Sequence, residues 1–231
     1  MIRTLSRRNV LASLVAVPAA AALLAGCSDS GGDAQAQTPD APASDVPQAS
    51  GTVDMAKLLE EGSLPDKVLG EADAPVTIIE YASMTCGHCA NFHKNTLPTI
   101  KTEYIDTGKA RLIMREFPFD PRAEAGFMLA RCSDDKYFAM IDVLFQQQEN
   151  WVSVENAREA LLQIARLAGF SQESFEACLT DQKLLDDVRA VRSRGAEEFG
   201  VDSTPTFFIN GNMYKGALTV AEMSAIIDSM L

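Results

Sequence analysis

Two cysteines three positions apart, Cys86 and Cys89, enclose the dipeptide Gly87-His88. Thiols at that spacing on a helix stand about one turn apart, close enough to form and reopen a disulfide. The apolar run 76–81 precedes them and a helix-forming stretch, 90–104, follows, so Cys86 falls at a strand-to-helix turn. Unpaired N–H groups at a helix N-terminus favour a thiolate. A His88 imidazolium would act in the same direction. Stabilising the thiolate stabilises the dithiol, which makes the disulfide a stronger oxidant. Cys86 is therefore the expected exchanging thiol, Cys89 the resolving thiol and His88 the group that sets the pKa. Metal binding is the competing chemistry. Structural zinc takes four Cys or His ligands in two close pairs, and this chain, with five Cys and two His, has no second Cys-x-x-Cys. Soft thiolates suit Cu(I), so a copper- or zinc-binding lipoprotein is the alternative. The expectation is redox exchange with no metal ligands.

The N-terminal 26 residues read as an export signal. Arg3, Arg7 and Arg8 precede a small-residue apolar stretch, 10–25, that Pro18 interrupts and that is short for a membrane span. Ser6-Arg7-Arg8-Asn9-Val10-Leu11 resembles a twin-arginine motif, departing from it at Val10 and at Ala12. Leu24-Ala25-Gly26-Cys27 reads as a lipobox, which makes Cys27 a lipidated mature N-terminus. Residues 27–52 hold almost no large apolar side chain and are expected to be a disordered tether. The rest, 53–231, is long enough for one cored domain. Net charge is −12, and loss of the leader's three arginines makes it more negative, which argues against a nucleic-acid partner.

Periodicity supplies the order of elements. An amphipathic helix is expected at 53–61 and a doubly covered strand at 75–82. The dithiol helix follows at 91–105, then a second strand at 110–119 ended by Pro118 and Pro121. Helical spacing continues through 123–145, 154–168, 173–179 and a helix capped by Asp181. A strand at 206–210, the Asn210-Gly211 turn, a partner strand at 213–215 and a helix at 220–230 close the chain. Cys132 and Cys178 both fall in the helical block. In an exported protein two unpaired thiols would be unusual, so a structural disulfide is expected, with two buried free thiols, or one acting as a shuttle, as the alternative.

Three separated segments are similar to the DsbA-like family of bacterial thiol oxidoreductases: Glu80-Tyr81-Ala82-Ser83 leading into the Cys86 motif, Arg115-Glu116-Phe117-Pro118, and Ser203 to Gly211 around Thr204-Pro205. The resemblance implies an α/β thioredoxin fold with an all-helical insertion at about 122–200, between the second strand and the strand that follows a cis proline. It implies that Thr204-Pro205 is cis and binds the substrate chain by strand addition. Glu80, six residues before Cys86, matches the family's buried acid, and strand alternation puts it beneath Cys89 as a proton acceptor or relay. His93 reads as a surface or packing residue. The partners implied are cysteine-containing exported proteins and a membrane redox protein that recycles the dithiol. The protein is expected to be a monomer without cofactor, on the periplasmic side of the cell envelope and anchored through Cys27. Gly87 stands where the best-known DsbA proteins carry proline, and Gly87-His88 is the dipeptide of protein disulfide isomerase. Net oxidation is expected, with isomerase or reductase as alternatives.

Overall fold

Val76–Ala82, rich in β-branched and aromatic residues, is buried at every position and so needs cover on both faces. It forms the central strand, β3. Alternation sends Ile78 and Glu80 to one face and Ile79 and Tyr81 to the other. The computed structural model describes residues 46–231. Across them runs a mixed sheet of six strands: β1 (Gly51–Thr52), β2 (Lys67–Leu69), β3, β4 (Ala110–Glu116), β5 (Thr206–Ile209) and β6 (Asn212–Lys215). The order is β1-β6-β5-β3-β4-β2, with only β3 and β4 parallel. Their crossover carries the dithiol helix, as a parallel pair requires.

That crossover is α2 (Gly87–Asn95), α3 (Leu97–Ile100) and a π-helical turn, Lys101–Ile105. A single helix over 91–105 is expected from periodicity, but Pro98 has no N–H to bond back across Thr96, and the helix divides there. A second departure is the end of the tether. Residues 51–52 belong to the sheet, and Ser50 N and Val53 N donate to Met213 O and Gly211 O, each at 2.8 Å. Backbone bonding to the open edge of β6 needs no apolar side chains, so composition did not reveal it. The short edge strand β2 was likewise not expected. The leader 1–26, Cys27 and the tether to residue 45 lie outside the described residues. Among the described residues no helix is long and apolar enough to cross a membrane.

Six α-helices and one 3-10 turn (Asp134–Lys136) run between β4 and β5, the α-helices being α4 (Pro121–Arg131), α5 (Tyr137–Gln146), α6 (Gln148–Trp151), α7 (Ala157–Leu167), α8 (Gln172–Leu179) and α9 (Gln182–Phe199). The expected continuous helix 123–145 is broken at Asp134, whose φ is 52°. The apolar side chains of this insertion, Phe127, Leu144, Phe145 and Trp151 among them, share one core with Met84 and Cys89. The insertion therefore packs directly behind the dithiol. The short helix α1 (Met55–Leu58) buries Leu58 in the apolar cluster that holds Tyr81, and α10 (Val220–Asp228) buries Met223, Ile226 and Ile227 with Ile78.

Gly195, inside α9, tests this packing. In an exposed helix Gly→Ala stabilises by about 0.5–1 kcal/mol. Here an added Cβ would lie 2.6 Å from Tyr81 Cε1. The Tyr81 ring is wedged edge-on against Phe117 and Phe208, and Arg115 donates to its hydroxyl at 3.1 Å. Gly195→Ala should therefore lower stability by about 1–3 kcal/mol in denaturant unfolding; a stabilised variant would contradict the packing.

Candidate active site

The turn between β3 and α2 is tied from three sides. Cys86 N donates to Ser83 O at 3.0 Å. Thr85 Oγ1 donates to Asp120 Oδ2 at 2.6 Å, and Asp120 also caps α4 through the N–H groups of Arg122 and Ala123. Gln148, from α6, donates its Nε2 to Met84 O at 2.9 Å and to Cys86 O at 3.0 Å. Cys86 is then the extended N-cap residue of α2, and Cys89 sits within its first turn.

Both thiols are free, and their surroundings differ sharply. Cys86 is half-buried, whereas Cys89 has no exposed surface. The Cys86 pKa is lowered to about 5, first by the hydrogen bond from the Cys89 thiol. The Thr204 side chain and the backbone N–H groups of Cys89 and His88 add to this, against the cost of burial. The Cys89 pKa is pushed well above the ordinary thiol value, first by burial, then by its hydrogen bond to Cys86 and the charge of Glu80. One thiol of the pair is made to ionise and the other to keep its proton. His88 is exposed, and it reaches this balance through its backbone N–H rather than through a contact of its ring.

The Thr204-Pro205 peptide is cis. The Cys86 thiol donates to Thr204 O at 3.3 Å, and the buried Thr204 Oγ1, which has no hydrogen-bond partner while Cys86 keeps its proton, is free to donate to the thiolate. Glu80 is wholly buried on the α2 side of β3. His93 departs from the surface or packing role read in the sequence. It is 3% exposed, and its Nε2 stands 3.0 Å from Glu80 Oε2. Its ring stacks on Phe145 at 4.3 Å. Burial disfavours the imidazolium, but the carboxylates of Glu80 and Asp142 outweigh it and raise the His93 pKa to about 9. Cys132 and Cys178 are bonded in the structure, joining the end of α4 to α8. No group of three or more His, Cys, Asp or Glu is placed to hold a metal ion among the described residues.

A thioredoxin family model matches residues 63–229. The crystal structure of Wolbachia pipientis alpha-DsbA1 superposes with a TM-score of 0.70 at 35% identity, covering 75% of this chain and 94% of that one. The chain belongs to the DsbA-like thioredoxin family. A Bacillus anthracis relative bearing the name disulfide bond formation protein D is 31% identical over 156 residues, 63% of this DsbA-like chain and 70% of its own length. A Rickettsia bellii relative, assigned by name to the protein-disulfide oxidoreductases, is 33% identical over 168 residues, 72% of this chain. The match spans 64% of that relative's length and 60% of the Rickettsia felis one. Structures that share 20% or 21% identity with this DsbA-like chain, one from Bacillus subtilis and one from Novosphingobium aromaticivorans, agree in fold.

Gln148, Asp120 and Asp142 are the site residues that sequence reasoning missed. Asp120 carried one usable signal, an N-cap residue before Pro121. Gln148 carried none, since its partners are backbone carbonyls more than 60 positions away.

Thiolate absorbance near 240 nm should titrate for Cys86 with a midpoint near pH 5. Cys89→Ala removes a charge-assisted hydrogen bond of about 1.5–3 kcal/mol and should raise that midpoint by about one to two pH units. Thr204→Val should raise it by less. A wild-type midpoint above about 8 would contradict the thiolate stabilisation.

Proposed function

We propose that this chain is a thiol–disulfide oxidoreductase of the cell envelope that oxidises cysteine pairs in exported proteins. The opposed tuning of Cys86 and Cys89 carries this reading. A substrate thiolate attacks Cys86 of the disulfide, the Cys86–Cys89 bond breaks, and Cys89 leaves and takes up a proton. A second substrate thiolate then attacks the substrate sulfur of the mixed disulfide. A substrate disulfide forms and Cys86 leaves as a thiolate, the species this site favours. Favouring the Cys86 thiolate favours the reduced protein, which gives the direction of net oxidation. A disulfide carried by a membrane redox partner would restore the oxidised form: Cys86 attacks it, and Cys89 resolves the product.

Thr204 and Pro205 are assigned to holding the substrate strand, because the Thr204 carbonyl faces the Cys86 sulfur at 3.3 Å. Glu80 is assigned the proton of Cys89, on which its charge bears. A His88 imidazolium, when protonated, would add to the stabilisation of the thiolate. Cys132–Cys178 is assigned a structural role within the insertion, away from exchange. The leader 1–26 and a lipid on Cys27 would hold the domain at the periplasmic face of a membrane.

Oxidation and isomerisation separate in two assays on the full chain. A reduced, unfolded substrate with two cysteine pairs should gain its disulfides rapidly, while a scrambled one should be corrected slowly. Faster correction than oxidation would instead make the protein an isomerase. A reduction potential near −270 mV would make it a reductase. In cells, Cys89→Ala should leave Cys86 trapped in mixed disulfides with exported proteins, and Cys27→Ser should move the chain from the membrane fraction to the soluble one.

A further inference from the structure

The buried pair of Glu80 and His93 leaves an unpartnered polar atom at each end. Nε2 and Oε2 face each other at 3.0 Å, while Glu80 Oε1 and His93 Nδ1 have no hydrogen-bond partner. A pair kept only for packing would satisfy these atoms, because buried polar groups left unpaired cost stability. The two ends differ in what lies beyond them. Glu80 is close enough to the Cys89 thiol for its charge to disfavour the thiolate. His93 Nδ1 is 3.8 Å from Asp142 Oδ1 on α5, and the Asp142 side chain is 58% exposed. His93 and Asp142 line a cavity of about 220 Å³, walled otherwise by Leu69, Leu97, Phe138 and Lys101 among others.

We propose that Glu80, His93 and Asp142 form the route by which the proton of the buried Cys89 thiol reaches solvent, entering at Glu80 Oε1 and leaving at His93 Nδ1. This rests on the exchange reading above and extends the assignment of Glu80 to an exit through His93 and Asp142. When Cys89 resolves a mixed disulfide at Cys86, its S–H bond breaks and the proton passes to Glu80 Oε1. The His93 cation releases its Nδ1 proton toward Asp142 and water, so the pair gains one proton and loses one. The Cys89 sulfur then bonds to the Cys86 sulfur, and the partner's sulfur departs as a thiolate with the bonding electrons. In the opposite half-cycle, where Cys89 leaves as a thiolate, the proton returns along the same route.

The groups around His93 fit this role. Glu80 faces it from β3 and Asp142 from α5, both negative. Lys101 lines the same cavity but is engaged with Asp106 at 2.6 Å. Tyr137, also on α5, has its pKa pushed well above the ordinary phenol value first by burial, then by Glu116 and to a lesser degree Glu80, so the phenol stays neutral. With a pKa near 9, His93 carries both ring protons at neutral pH and has one to release at Nδ1. His93 acts through Glu80 and does not touch the sulfurs in this account.

The test is stopped-flow oxidation of the reduced full chain by glutathione disulfide. Attack by Cys86 depends on disulfide concentration, and resolution by Cys89 does not. His93→Gln should slow resolution about tenfold or more and flatten its pH profile between 6 and 9, with attack unchanged within twofold. Imidazole, small enough for the cavity, should restore resolution in His93→Ala. Asp142→Asn, on an exposed side chain, should slow resolution severalfold with an unchanged unfolding midpoint, and it carries the test if the His93 variants do not fold. Resolution within twofold of wild type in His93→Gln would overturn the proposal. So would slow resolution in the His93 variants that imidazole does not restore while Asp142→Asn behaves as wild type, since that describes a structural pair. A wild-type chain that forms no mixed disulfide would sink the exchange reading itself.

Discussion

Cys86 and Cys89 share one helical turn, and the structure depends on their not sharing an environment. A thiolate is tolerated where backbone N–H groups, a hydroxyl and a neighbouring thiol can donate to it, and it is costly where apolar side chains bury it beside a carboxylate. The N-terminus of α2 supplies the first setting. The core behind it, built from Met84, Phe127, Met140 and Phe145 with Cys89, supplies the second. Only one of the two sulfurs can therefore carry charge. In the proposed exchange reaction, the direction, the choice of attacking sulfur and the need for a proton path would all descend from that asymmetry.

Holding the asymmetry in place is the work of the insertion and the sheet together. The turn that presents Cys86 is fixed by Asp120 at the start of α4 and by Gln148 at the start of α6. The same helical block buries Cys89 and stacks Phe145 on His93. From the sheet, β3 brings Glu80 beneath the dithiol, and β5 follows directly on the cis Thr204-Pro205 bond, whose carbonyl meets Cys86. A buried carboxylate beside an apolar core would be destabilising alone, and His93 makes it tolerable by pairing with it. Without the insertion, the sheet and α2 would expose Cys89 and the pair beneath it to water.

Much of this was legible because it is local. A strand buried on both faces, a Cys-x-x-Cys entering a helix, and a Thr-Pro before a strand each leave a short mark in the chain, and their order names the fold. What escaped is what depends on distance. His93 looks like any polar residue on a helix until β3 places Glu80 against it. Gln148 is one of three consecutive glutamines, and only the packing of α6 selects it. Residues 51–52 look disordered by composition, yet β6 offers them backbone partners. Helix breaks at Thr96 and Asp134 were missed because apolar spacing continues across them, and spacing records which face is buried, not whether the backbone is continuous.

The most direct test of the thiolate asymmetry is the stability of the full chain in its Cys86 dithiol and disulfide forms, measured by denaturant unfolding across pH. A Cys86 pKa lowered from 9.0 to about 5 on folding adds stability to the dithiol form that is complete above the unfolded value and is lost as pH falls toward 5. The dithiol form should accordingly be the more stable of the two at pH 7, with the gap closing as the pH approaches 5. A disulfide form at least as stable as the dithiol at pH 7, or a gap that ignores pH between 5 and 8, would contradict the account.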